Sequence, residues 1–120
     1  MGDRVLFQVV RGASSAQANI GPVVYCHWSG ERAPEIVRAL AKRMVDRPGD
    51  VEYATARLVQ ECTGANAGAT GFGVWSATSR LTEADSHGDA GVVLIDCANG
   101  FRCECLGGYL RTDADGFPTN

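Results

Sequence analysis

The richest chemistry in one place lies at Tyr25-Cys26-His27-Trp28-Ser29-Gly30. A phenol, a thiol, an imidazole, an indole and a hydroxyl follow one another. On an extended chain Tyr25 and His27 point to one side, Cys26 and Trp28 to the other. Cys26 and His27 therefore do not form a nucleophile–base pair, and a thiolate here would need His87 as its base. Ser29 stands where a strand turns into a helix, as in a nucleophile elbow. That pattern requires glycine at positions 27 and 31, which are His27 and Glu31 here. Binding chemistry fits better. The N–H groups that open a helix attract anions, so Ser29 and the amides of Gly30 to Arg32 suit a phosphate. Tyr25 or Trp28 would stack on a base, while Glu31 opposes the phosphate. The competing expectation puts Trp28 in the core, Ser29 as a cap and His27 on a backbone carbonyl.

Other groups carry weaker signals. Cys103 and Cys105 share a strand face, and Cys97 lies across a turn from them. No Cys-x-x-Cys pair accompanies them, so they are expected to pack as small apolar groups rather than bind a metal. Asp113-Ala114-Asp115-Gly116 begins like a calcium loop, but the chain holds no later Glu to complete it. Thr70-Gly71-Phe72-Gly73 places two glycines in a strand, which marks a bulge or a close approach by backbone or ligand. Arg57, four residues after Tyr53 and off the apolar stripe, is either solvated or aimed at an anion.

The elements that must position these groups follow from periodicity. Arg4 to Val10 alternates as a strand, with Val5, Phe7 and Val9 on one face and Leu6, Gln8 and Val10 on the other. Pro22 to Trp28 is a second strand. Pro34 suits a helix start, and Ile36, Val37, Leu40, Ala41, Met44 and Val45 recur at helical spacing. Asp50 caps a second helix with Val51, Ala54, Leu58, Val59 and Cys62 as its stripe and Gly64 as its stop. Thr70 to Ala77 is a strand, Thr78 to Ala90 a polar loop, and Gly91 to Cys97 the most apolar strand of all. Ala98-Asn99-Gly100 is a hairpin turn leading into Phe101 to Leu106.

This order, ββααβββ, predicts an α+β fold: a single, mostly antiparallel sheet of about five strands with two helices packed on one face. Residues 1–112 form the domain, and 113–120 a loose polar tail. Such a sheet keeps open edges and one bare face, so a homo-oligomer is expected.

Composition narrows the function. The 120 residues carry 45% hydrophobic and 21% charged side chains and a net charge of −3. That balance argues against binding a DNA or RNA backbone, which needs clustered Lys and Arg. No apolar run is long enough to span a membrane. The first residues lack a basic stretch followed by an apolar one, so no secretory leader is expected. Five cysteines, an odd number, suit free thiols in a reducing cytoplasm.

The ordered set Tyr25-x-His27-Trp28-x-Gly30, Ala39-Leu40, Tyr53-x3-Arg57-Leu58-Val59-x-Glu61, Thr70-Gly71-Phe72-Gly73-Val74 and Val93-x-Ile95-Asp96 resembles a family of small phage and prophage proteins. Ser29 departs from the glycine usual there. The loop from Thr78 to Gly91 is longer and lacks the family's His-Pro, though Asp85, His87 and Asp89 keep its flavour. Small phage proteins commonly counter host defence, some as oligomeric sponges for nucleotide second messengers. The resemblance thus implies a non-enzymatic protein of the host bacterial cytoplasm that sequesters an immune signalling nucleotide and needs no cofactor or metal. The ligand contacts expected are Tyr25, His27, Trp28, Ser29, Arg57 and Thr70. The alternatives are a protein inhibitor of a host defence enzyme and a small nucleotide-cleaving enzyme with His27 or His87 as base.

Overall fold

A computed structural model describes residues 2–13, 16–65 and 71–120. The elements are β1 (Val5–Val10), β2 (Ile20–Cys26), α1 (Ala33–Arg43), α2 (Val51–Ala65), β3 (Phe72–Trp75), β4 (Gly91–Asp96) and β5 (Arg102–Leu106). Two short strands follow, β6 (Arg111–Thr112) and β7 (Pro118–Thr119). The main sheet runs β3-β2-β1-β4-β5, and β6 and β7 form a separate ribbon. The α+β class, the helices on one face and a main sheet of five strands with three of its four pairings antiparallel are as expected, and the single sheet needs correction. β1 and β4 pair in parallel at its centre, so the sheet is mixed, with the ribbon as a second sheet. The reason is topological. After β3, at one edge, the chain crosses β2 and β1 and enters beside β1 in β1's own direction. Val92, Val93, Leu94 and Ile95 are all buried, the near-continuous apolar run of a strand covered on both faces.

On the helix side, Val5, Phe7 and Val9 pack with Ile36, Val37 and Leu40 of α1 and Ala54, Leu58 and Cys62 of α2. Asp50 caps α2, its Oδ1 accepting the Tyr53 N–H at 3.0 Å. α1 stops at Arg43, so Val45 falls in the following turn and is 74% exposed instead of joining the stripe. Gly64 lies within the last turn of α2 rather than ending it.

The opposite face is not bare. The polar segment after β3 crosses it, and Leu81 packs among Leu6, Val10, Val23, Val92 and Leu94. Gln8 fastens the crossing. Its Oε1 accepts the Leu81 N–H at 2.8 Å, and its Nε2 donates to the carbonyls of Gly21 and Ser79 at 3.0 and 3.1 Å. One buried amide thus satisfies backbone groups of a loop that no sheet ladder serves.

The last residues also differ from a loose tail. Asp113 Oδ1 accepts the N–H groups of Asp115 and Phe117, which turns β6 into β7. Arg38 of α1 pairs with Asp113 at 2.8 Å and lies over the Phe117 ring at 4.6 Å. Phe117 packs on the helix-side core. The motif that begins like a calcium loop is therefore a turn. No cluster able to hold a metal ion occurs among the described residues. Cys26, Cys62 and Cys97 are buried, and Cys103 and Cys105 are partly buried.

Candidate functional site

β2 ends at Cys26, and the chain bends through His27 and Trp28. Tyr25 faces away from the helices, beside Leu6 and Leu81. As the period of the strand requires, His27 lies on the same side, with its Nδ1 2.6 Å from the Tyr25 hydroxyl. The Trp28 indole meets the His27 ring edge-on at 4.4 Å and is 54% exposed.

β3 adds a ring that the spacing of β2 alone does not predict. In the β2–β3 register Gly73 stands opposite Tyr25. With no side chain at 73, the Trp75 indole folds back over that position and reaches Tyr25 at 5.8 Å. The close approach marked by Gly73 is thus made by the chain's own tryptophan. His87, from the crossing segment, completes the group at 5.3 Å from Tyr25 and lies stacked with Trp75 at 6.5 Å.

Two interactions place His87. Ser86 Oγ donates to the Gly107 carbonyl at 2.7 Å and accepts the Gly88 N–H at 3.0 Å. Asp89 Oδ2 accepts from the backbone N–H of Arg4 at 3.1 Å and from its guanidinium at 2.8 Å. That bond to Arg4 holds the Asp89 carboxyl below the usual carboxylate range. Burial pushes the Tyr25 phenol above its ordinary value, with Arg4 opposing. Arg4 is thus the cation that acts on the ring cluster.

The expected phosphate cradle is filled from within. Gly30 N–H donates to the Asp3 carbonyl at 2.8 Å and Glu31 N–H to Asp3 Oδ2 at 2.8 Å. The Arg32 N–H donates to the Ser29 carbonyl at 3.0 Å. Asp3 Oδ1 accepts from the Tyr109 hydroxyl at 2.7 Å. Burial and this carboxylate drive the Tyr109 phenol well up. An aspartate of the chain occupies the place where an incoming anion was expected, and Ser29 is buried beneath it.

Of the expected contacts, Tyr25, His27 and Trp28 come together, and Ser29 is buried at the cap of the short helical turn Gly30–Arg32. Arg57 does not join them. Its guanidinium lies 4.9 Å from the Tyr53 ring on α2, on the helix side of the sheet. Thr70 lies outside the described residues. Trp75, Arg4, Asp89 and Asp3 were not expected. Only the glycine at 73 signalled that something approaches β3.

A cleft of about 760 Å³ lies at the other end of β1 and β2, lined by Arg11, Gln17, Ile20, Pro48, Asp50 and Thr55. Its polar walls are engaged locally. Arg11 donates to Asn19 and Gly49, Asp50 caps α2, and Thr55 donates to the Val51 carbonyl. At the ring cluster, Trp28 and Trp75 are about half exposed.

No family model, curated protein or solved structure matches this chain.

Proposed function

We propose that this chain is a binding protein for a small anionic ligand with a planar base, a nucleotide, held without chemical change at the ring cluster. One observation carries the reading. Both tryptophans and both histidines of the chain gather in one ring cluster, with His27, Trp75 and His87 against Tyr25 and Trp28 joined through His27. Stacking on an aromatic side chain contributes about 1–3 kcal/mol per base and tolerates any base. Arg4 supplies the positive charge, and a phosphate would compete with Asp89 for its guanidinium. The Tyr25–His27 hydrogen bond fixes both rings before the ligand arrives, which lowers the ordering penalty of binding. The buried Cys26 and Ser29 offer the ligand no nucleophile. Joined to the resemblance to small phage proteins, this becomes sequestration of an immune signalling nucleotide, with release of the same molecule.

A second reading draws on a different observation. Trp28 and Trp75, on the ring side, are 54 and 43% exposed. That favours a protein partner, such as a host defence enzyme blocked by contact.

The test is thermal shift of the purified chain with a panel of cyclic and linear nucleotides, followed by heat denaturation and analysis of what is released. Intact ligand is expected, and an altered ligand would instead identify a nucleotide-cleaving enzyme. Trp75→Ala and His27→Ala should each weaken binding by roughly 5- to 150-fold, the loss of about 1–3 kcal/mol. Arg57→Ala should leave it unchanged. No shift with any nucleotide overturns the nucleotide reading and leaves the protein-surface one.

A further inference from the structure

In two turns of this chain a glycine follows a side chain with a carbonyl at its γ position. These are Asn99-Gly100, between β4 and β5, and Asp115-Gly116, between β6 and β7. In such a pair the glycine nitrogen can attack the side-chain carbonyl before it and close a five-membered imide. Glycine permits the attack because no Cβ shields its nitrogen and its backbone turns freely. An amide is the better electrophile, which is one source of the lability of asparagine.

The structure separates the two turns. Gly116 is buried, and its N–H donates to the Asp113 carbonyl at 3.0 Å. The N–H of Asp115 is held as well, by Asp113 Oδ1 at 2.9 Å. Around Asn99 the hydrogen bonds pass the glycine by. Asn99 and Phe101 both donate to the Asp96 carbonyl, and Arg102 donates to the Asn99 carbonyl. Among the described residues no acceptor takes the Gly100 N–H. Asn99 and Gly100 are exposed, and nothing lies within 4 Å of the place a Gly100 side chain would occupy. Asn19 is different again. A branched residue, Ile20, follows it, and its Oδ1 accepts from Arg11 at 2.8 Å.

We infer that Asn99 is a modification site of the folded chain, deamidated by its own neighbour Gly100. The Gly100 nitrogen gives its proton to hydroxide and bonds to Asn99 Cγ. The Cγ–Nδ2 bond breaks, Nδ2 takes a proton from water, and ammonia leaves. Water then opens the imide at either carbonyl, which leaves a carboxylate at position 99 in the normal or the β-linked backbone. One water is consumed and one ammonia released, with no change of oxidation state. Asn99 Nδ2 donates to Asp96 Oδ2 at 2.7 Å, and Asp96 Oδ1 accepts from the N–H groups of Gly12 and Ala98 at 3.0 Å. Asp96 thus ties the turn to the end of β1. Conversion removes one donor and sets a second carboxylate against Asp96, so the tie to Gly12 weakens. The turn lies at the far end of β4 from the ring cluster, since Tyr25 stands level with Leu6 and Val92. The inference therefore does not rest on the nucleotide reading.

The test holds the full chain in mildly alkaline buffer, folded or in urea, and maps its peptides by mass. The folded chain should gain the amide-to-acid mass change at position 99, at a rate proportional to hydroxide. Normal and β-linked forms should both appear, and Asn19 should stay intact. Asp115→Asn gives the sharpest comparison, the same dipeptide with its glycine nitrogen engaged. That variant should convert at 99 but not at 115 while folded, and at both in urea. A folded chain that keeps Asn99 intact while the chain in urea converts overturns the inference. So do equal folded rates at 99 and 115, or a product without the β-linked form. Should Asp115→Asn misfold, the wild-type chain in the two conditions decides. Asn99→Asp, with a normal backbone, should lower the urea midpoint and speed exchange of the Gly12 amide. Both unchanged would overturn the assigned consequence.

Discussion

Replacing Gln8 by Met tests the account of how the crossing segment is held. The two side chains are similar in length and volume, so the substitution removes polarity with little change in packing. Gln8 is 0% exposed, and three backbone groups lose their partner: the Leu81 N–H and the carbonyls of Gly21 and Ser79. A buried group left unpaired costs about 1–3 kcal/mol. The Leu81 N–H and the Gly21 carbonyl should incur most of that, because both bonds to Gln8 are buried. The Ser79 carbonyl should incur little, because Ser79 is exposed and water can replace the amide. The sum is about 2–3 kcal/mol, a large part of the 5–15 kcal/mol typical of a whole domain. Urea unfolding followed by tryptophan fluorescence should show this loss with an unchanged slope. Native-state hydrogen exchange should show the Leu81 amide losing protection more than amides of β1. Stability within about 0.5 kcal/mol of wild type, or an unchanged Leu81 exchange rate, would refute the claim that Gln8 pins the loop.

Two glycines should respond in opposite directions. Gly91 has φ +93 and a Cβ there would meet the Leu106 carbonyl and Gly108, whereas Gly64 lies in α2 with open space around it. In chemical denaturation Gly91→Ala should lose more than about 2 kcal/mol, and Gly64→Ala should gain about 0.5–1 kcal/mol. Asp113, held below the usual carboxylate range by the N–H groups of Phe117 and Asp115 and by Arg38, should make ribbon docking acid-sensitive. Its folded value is lowered, so its contribution is present above the ordinary carboxylate value near 3.9 and fades as pH falls through the folded one. The stability gap between wild type and Asp113→Ala should therefore close in acid, and a gap that persists at low pH counts against the assignment. Asp3→Asn removes the charge that helps hold the Tyr109 phenol protonated, so spectrophotometric titration should find one tyrosine ionising at lower pH than in wild type.

Much of the fold can be read along the chain. Val5, Phe7 and Val9 alternate with Leu6, Gln8 and Val10 as the structure has them, and Asp50 caps α2 as a helix-opening aspartate should. The parallel pairing of β1 and β4 is different, because nothing local distinguishes it. An uninterrupted run of Val92 to Ile95 fits a central strand of either direction, and the direction depends on where the preceding loop crosses. That loop reads as polar and detached. Leu81 alone hints at burial, and its partner Gln8 stands 73 residues away.

The site divides along the same line. That Tyr25 and His27 share a face follows from the two-residue period of a strand, and their hydrogen bond depends on nothing further away. That Trp75 and His87 join them, that Asp3 takes the anion's place at Gly30 and Glu31, and that Arg57 turns to Tyr53 are matters of tertiary structure. Each joins segments distant in sequence or selects among rotamers that sequence leaves equally open. Sequence alone determined the five strands of the main sheet, the two helices and the paired rings of β2, because those rest on short-range geometry. Only the packed chain decided which other groups meet those rings, because that depends on sheet order and on a loop crossing held by one buried amide.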